Sequence, residues 1–68
     1  MAEQNEWESK AANLLKAELK RAGITYAELA ERIGEKEVNI RNKLSRGKFS
    51  AAFLIQSLVA IGQNELRL

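Results

Sequence analysis

The sequence predicts an all-α fold of four short helices, and three observations carry that expectation. The chain has no proline; its four glycines stand at 23, 34, 47 and 62; and the stretches between them are rich in Ala, Leu, Lys and Glu with apolar residues at helical spacing. A chain of 68 residues is a single domain, 1–68, that buries only about 60% of the surface its unfolded form exposes.

The first helix is expected from about Glu6 to Ala22, behind a flexible tail over about 1–5, with Trp7, Ala11, Leu14, Leu15, Leu19 and Ala22 as its apolar stripe and Gly23 as its stop. Glu18 falls within that stripe and either pairs with a basic neighbour such as Arg41 or sits at its edge. The second helix opens on "TYAE", where Thr25 and Glu28 are spaced to exchange hydrogen bonds as a capping box before Ala27, Leu29, Ala30 and Ile33. Gly34 closes it.

The third helix, about 37–46, has only Ile40 and Leu44 as an i, i+4 apolar pair and lacks a good capping residue, while Gly47 suits its left-handed C-terminal stop. Ser50 is placed to cap the fourth helix, Ala51 to Ile61, which ends before Gly62. The tail "QNELRL" alternates in a way that fits a short C-terminal strand or a frayed end.

Composition excludes several functions. There is no cysteine, histidine or aspartate, which removes thiolate chemistry, the commonest metal ligand, the commonest general base at neutral pH and every histidine-dependent triad. The chain is therefore not expected to be an enzyme, to hold a metal or cofactor, or to take a small-molecule substrate. The longest apolar run, Ala51 to Ile55, is far short of the roughly 20 residues a membrane span needs. The N-terminal "MAEQNEWESK" is acidic and polar where an export signal is basic and then apolar, so a cytoplasmic protein is expected.

Charge is uneven along the chain although the formal net charge is only +2. The first eight residues hold three glutamates and no basic side chain, whereas 39–48 holds Arg41, Lys43, Arg46 and Lys48 and no acid. In "KAELKRA" of the first helix, basic and acidic residues are interleaved for mutual pairing; in 39–48 they are not.

The order of small and apolar residues between 25 and 46 is also informative: a helix starting at Tyr26, Ala30 where two helices would touch, Gly34 in the turn, and Ile40 six residues on. This is the spacing of a helix-turn-helix, in which crossing helices need a small side chain at their contact and a residue free to take positive φ in the turn. "GITYAELAERIG" and the later "RGK" resemble the lambda-repressor-like (Cro-type) domains, and the span from Glu8 to Leu68, with "NIRNKLSRGKFSAAF", is similar to a family of small uncharacterised bacterial domains of helix-turn-helix-like type. Lys43 stands three residues after Ile40, where repressor-like domains carry a core residue; Leu44 comes at four and Gly47 at seven instead of six. The third helix is thus one residue longer or differently rotated.

A helical wheel of the third helix puts Ile40 and Leu44 on one side and Asn39, Asn42 and Arg46 on the other. Asparagine pairs bidentately with adenine and arginine with guanine, each worth about 1–3 kcal/mol of discrimination. Asn39, Asn42 and Arg46 are therefore the candidate base contacts of a transcriptional regulator that binds double-stranded DNA. Lys36, Arg41, Lys43 and Lys48 are the candidate phosphate contacts, joined by the Thr25 and Tyr26 hydroxyls and the free amides at the start of the second helix. Against this stands a plainer reading: the cations are merely solvated, Asn39 helps to begin its helix and Asn42 is an indifferent surface residue.

Trp7, Phe49 and Phe53 are expected in the core and not as stacking platforms for single-stranded nucleic acid. The fourth helix is apolar on nearly every side, with Gln56 and Ser57 its main polar residues. A homodimer or partner surface through Ile55, Val59, Leu66 and Leu68 follows, and with it the alternative of a protein-interaction module whose basic face is incidental.

Overall fold

A computed structural model describes the backbone of residues 2–68 and the side chains of residues 6–68. Four helices follow one another: α1 over Ala2–Ala22, α2 over Tyr26–Ile33, α3 over Glu37–Arg46 and α4 over Ala51–Ala60. Among the described residues there is no strand, and 63–68 run without regular structure in place of the short C-terminal strand that the alternation suggested. A lone strand has no ladder to join in an all-helical domain; the alternation instead turns Leu66 inward, half-buried against the core, and leaves Arg67 exposed.

α1 starts four residues ahead of Glu6. Part of the tail expected over 1–5 falls on Met1, outside the described residues, and the rest is helical backbone, since Ala, Glu and Gln are strong helix formers. At about 1.5 Å per residue, α1 nearly equals the 33 Å long axis of the molecule. Its inward face is Ala12, Leu15, Glu18 and Leu19, rotated from the expected stripe: Ala11 and Leu14 are half-buried and Trp7 is 68% exposed.

α2 has the boundaries that its capping residues dictate. The Glu28 amide donates to Thr25 Oγ1 at 3.1 Å, and the Thr25 amide donates to Glu28 Oε1 at 2.8 Å. Gly34 closes the helix at φ 71°, ψ 35°, its amide donating to the Ala30 carbonyl. That left-handed conformation disfavours any residue with a Cβ and turns the chain into α3. α3 follows Lys36, an N-cap residue without a side-chain hydrogen bond, and is closed by Gly47, also left-handed. α4 is capped by Ser50, whose Oγ accepts from the Phe53 amide at 3.0 Å, and stops one residue before the expected Ile61, which serves as its C-cap.

The helices close a four-membered ring: α1 packs on α3 and α4, and α2 packs on α3 and α4, while the diagonal pairs α1/α2 and α3/α4 do not pack along the backbone. Leu15 and Leu19 of α1, Leu29 and Ala30 of α2, Ile40 and Leu44 of α3, and Phe53 and Leu58 of α4 fill the centre, with Ile61 beside them. The Arg32 guanidinium at the end of α2 donates to the Ala60 carbonyl at 2.9 Å, giving the last turn of α4 a cation where its dipole favours one.

Two expectations about polar side chains are corrected. Glu18, only 2% exposed, pairs with Arg21 at 3.4 Å, one turn along its own helix, and not with Arg41. α4 is also less enclosed than its composition suggested: Ile55 and Val59 are 60% and 69% exposed, whereas Ser57 is fully buried with no protein partner for its Oγ among the described residues.

Candidate nucleic-acid interface

α2, the Gly34 turn and α3 hold the predicted contact residues. Ile40 and Leu44 anchor α3 in the core, and Ala30 is the small side chain buried on α2. With that face fixed, Asn39, Asn42 and Arg46 are all exposed on α3, together with Arg41, Ser45 and Val38. Lys36 and Lys48 are exposed at the two ends of the helix.

The surface is not the unopposed cationic patch that 39–48 suggested. Glu35, in the turn, accepts on Oε1 from the Asn39 side chain at 3.1 Å and from the Lys36 amide at 3.1 Å, and its Oε2 lies 3.3 Å from Lys43 Nζ. Glu37 pairs with Arg41 at 2.6 Å. The Asn39 hydrogen bond, then the Lys36 amide and Lys43, hold the Glu35 carboxyl below the ordinary carboxylate range. Between 35 and 48 there are thus five basic and two acidic side chains, and Asn39, Arg41 and Lys43 each already have an acidic partner.

Lys43 is held twice, since its ammonium also stands 4.6 Å from the centre of the Phe53 ring. Phe53 is buried and Phe49 half-buried, with ring centroids 5.3 Å apart, so both belong to the core side of this surface. Arg46, Lys48 and Lys36 form no ion pair among the described residues.

The start of α2 is also already occupied. The Glu28 carboxylate lies on the Thr25 amide, and that amide bond, followed by the Thr25 hydroxyl, holds its carboxyl low. A phosphate arriving there meets a fixed negative charge, and the Thr25 hydroxyl has already accepted one bond. Tyr26 is half-buried against the core. These two residues thus have less to offer a phosphate than Lys36, Arg46 or Lys48.

Sequence reasoning missed the pairing of Glu35 and Glu37 with this face, and the exposure of Val38 near the start of the helix. The Glu37–Arg41 and Glu35–Asn39 pairs are each spaced i, i+4, a spacing visible in the sequence but lost when the basic stretch is taken to begin at 39. Val38, 52% exposed in the first turn of α3, is an apolar group on an otherwise polar face.

Of the proposed partner surface, Ile55, Val59 and Leu68 are exposed, whereas Leu66 is packed against the core. Among the described residues no helix is long and apolar enough to cross a membrane. Residues 7–66 match the model of a protein family described as a domain of unknown function (DUF6471). No curated protein and no solved structure matches the chain.

Proposed function

We propose that this chain, which belongs to the DUF6471 family, binds double-stranded DNA through α3 and acts as a transcriptional regulator in the cytoplasm. The observation that carries the reading is the pairing of α2 and α3 through buried Ala30 and left-handed Gly34, with Asn39, Asn42 and Arg46 exposed on the far side of α3 from Ile40 and Leu44. That arrangement supports a helix-turn-helix of repressor-like type with α3 in the major groove. The mechanism is occupancy without catalysis.

In this reading Asn39, Asn42 and Arg46 contact base edges, and Lys36, Arg41, Lys43 and Lys48 neutralise phosphates. Glu35 and Glu37 must then give up Asn39, Lys43 and Arg41 as the duplex arrives. Exposed ion pairs are worth little, so the exchange is inexpensive, but the carboxylates oppose the phosphates throughout.

A titration of labelled mixed-sequence duplex at about 50 and about 200 mM salt tests this. Four phosphate contacts predict a log–log salt slope of about −3 to −4 and an affinity loss of about a hundredfold over that range. Amide shifts should gather at 39–48, and combined Lys43→Glu and Arg46→Glu should abolish binding in a variant of unchanged helicity. Absence of association at the lower salt, or indifference to the charge reversal, would refute the reading.

The exposure of Ile55 and Val59 favours a second reading, a protein-interaction module working through α4. The same charge reversal on α3 would leave that activity intact.

A further inference from the structure

We propose that α3 reads its duplex through the row Val38, Asn42 and Arg46, and that Val38 is a specificity contact seated on the 5-methyl group of a thymine in the major groove. The inference rests on the DNA reading above and names the class of site it selects: thymine, adenine and guanine within about four successive base pairs.

The row follows from helix geometry. Ile40 and Leu44 are buried and set the rotation of α3. At about 100° per residue, Asn42 lies opposite the buried pair, with Val38 and Arg46 about 40° to either side and Asn39 about 60° off. Val38 thus stands nearer the middle of the exposed face than Asn39. The three residues follow one another at i, i+4 and i+8, so the row spans about 12 Å, the rise of three to four base-pair steps of about 3.4 Å.

The members of the row are also the uncommitted ones. Asn39, Arg41 and Lys43 each hold an acidic partner. Asn42 and Arg46 make no side-chain hydrogen bond or ion pair among the described residues. Val38, 52% exposed in the first turn, has no group that could make one.

Exposure alone would say little, since single exposed apolar residues are common. The surroundings say more. Val38, Asn42 and Ser45 form an uncharged middle, with Arg41 on one flank, Lys43 on the other, and Lys36 and Lys48 at the two ends of the helix. That is the complement of a major groove, whose floor of base edges is uncharged and whose walls are phosphate. Asn42 matches adenine and Arg46 guanine. The thymine methyl is the feature of that groove that offers no hydrogen bond, and Val38 is the side chain of the row that offers none. Its place in the first turn also fits, because the N-terminal residues of a recognition helix meet the base edges.

The experiment selects bound sites from a random-sequence duplex pool with the full chain at about 50 mM salt, then titrates a selected duplex whose thymines are replaced one at a time by uracil, which deletes only the methyl. Selected sites should hold thymine, adenine and guanine in close succession. One uracil replacement should weaken the wild type about fourfold, the worth of one buried methyl, and should leave Val38→Ser unaffected, so that the two losses do not add. Serine is close to valine in helix propensity, and circular dichroism should show the variant folded. Asn42→Ala should relax the preference for adenine and keep the uracil effect. A duplex bound without any uracil effect, or with the same effect in Val38→Ser, would overturn the contact and leave the DNA reading standing; no duplex retained from the pool would overturn both.

Discussion

Gly47 lies directly over the backbone of Glu8: a Cβ built on Gly47 would fall 2.9 Å from Glu8 Cβ and closer still to the Glu8 carbonyl. The C-terminal stop of α3 is therefore also its docking point on α1. Gly47 takes φ 71°, as Gly34 does, but a Cβ on Gly34 meets nothing within 4 Å. The two substitutions separate strain from collision. Gly34→Ala should cost about 1–2 kcal/mol from the left-handed backbone alone. Gly47→Ala adds overpacking of about 1–3 kcal/mol, and α1 must move because backbone cannot rotate away. Urea denaturation should show the larger loss for Gly47→Ala; equal losses would mean that the approach to Glu8 is not close.

Glu35→Gln removes the carboxylate that Asn39 and Lys43 share. If α3 meets phosphate, duplex affinity should rise about three- to tenfold and the salt slope should steepen, as one opposing charge is lost. A fall in affinity would mean that Glu35 orients Asn39 productively and does not restrain it.

Acid stability provides a separate check on Glu28 and Glu35. Glu28 and Glu35 have carboxyl pKa values lowered by folding, so what they contribute is present above the unfolded value of about 4.3 and is lost as pH falls through their lower folded values. The thermal midpoint should therefore fall as the solution is taken below about pH 4.3. Glu28→Gln combined with Glu35→Gln should flatten that decline and leave the curve above pH 6 nearly parallel to the wild type. An unchanged acid limb in the double variant would assign the decline to other carboxylates.

Ser57→Ala is expected to stabilise the fold. Among the described residues Ser57 Oγ is fully buried with no protein partner, and an unsatisfied hydroxyl costs about 1–3 kcal/mol. Alanine keeps the small volume, so the gain should be about 1 kcal/mol, or a rise in Tm of about 4–8 °C. A loss of stability would show that the hydroxyl is satisfied by buried water.

Ile40→Ala tests the anchor of α3. The side chain is fully buried, and truncating it should cost about 2–5 kcal/mol. For a domain of this size that is a large fraction of the whole stability, so the variant should be partly unfolded at 25 °C by circular dichroism. Trp7→Ala, although it deletes a larger side chain, should cost far less, because that ring is mostly exposed.

The two middle helices were legible in the sequence because their ends are written locally. Thr25, Glu28 and Gly34 fix α2 by hydrogen bonds and φ within ten residues, while α3 is fixed at its C-terminal end by Gly47 and in its rotation by the Ile40 and Leu44 pair. What local pattern could not decide was which of two apolar stripes on α1 faces the core. Trp7, Ala11 and Leu14 form one, and Ala12, Leu15 and Leu19 the other; the core takes the second, and Leu66 and Leu68 from the far end of the chain lie along the first. Lys43 was misjudged for a related reason: its acid, Glu35, lies eight residues back, in the turn ahead of α3, and so outside the i, i+4 spacing by which pairs within one helix are read.

The ring order of the helices has a consequence for how the molecule comes apart. Each helix packs along its backbone on two others and on neither diagonal partner, so detaching any one helix breaks two of the four pairings at once. No three-helix remnant keeps a closed core. Amide hydrogens of Leu19, Leu29, Leu44 and Leu58, one from each helix, should thus exchange with solvent deuterium through a single global opening, at one common free energy, with no partly folded species on the way.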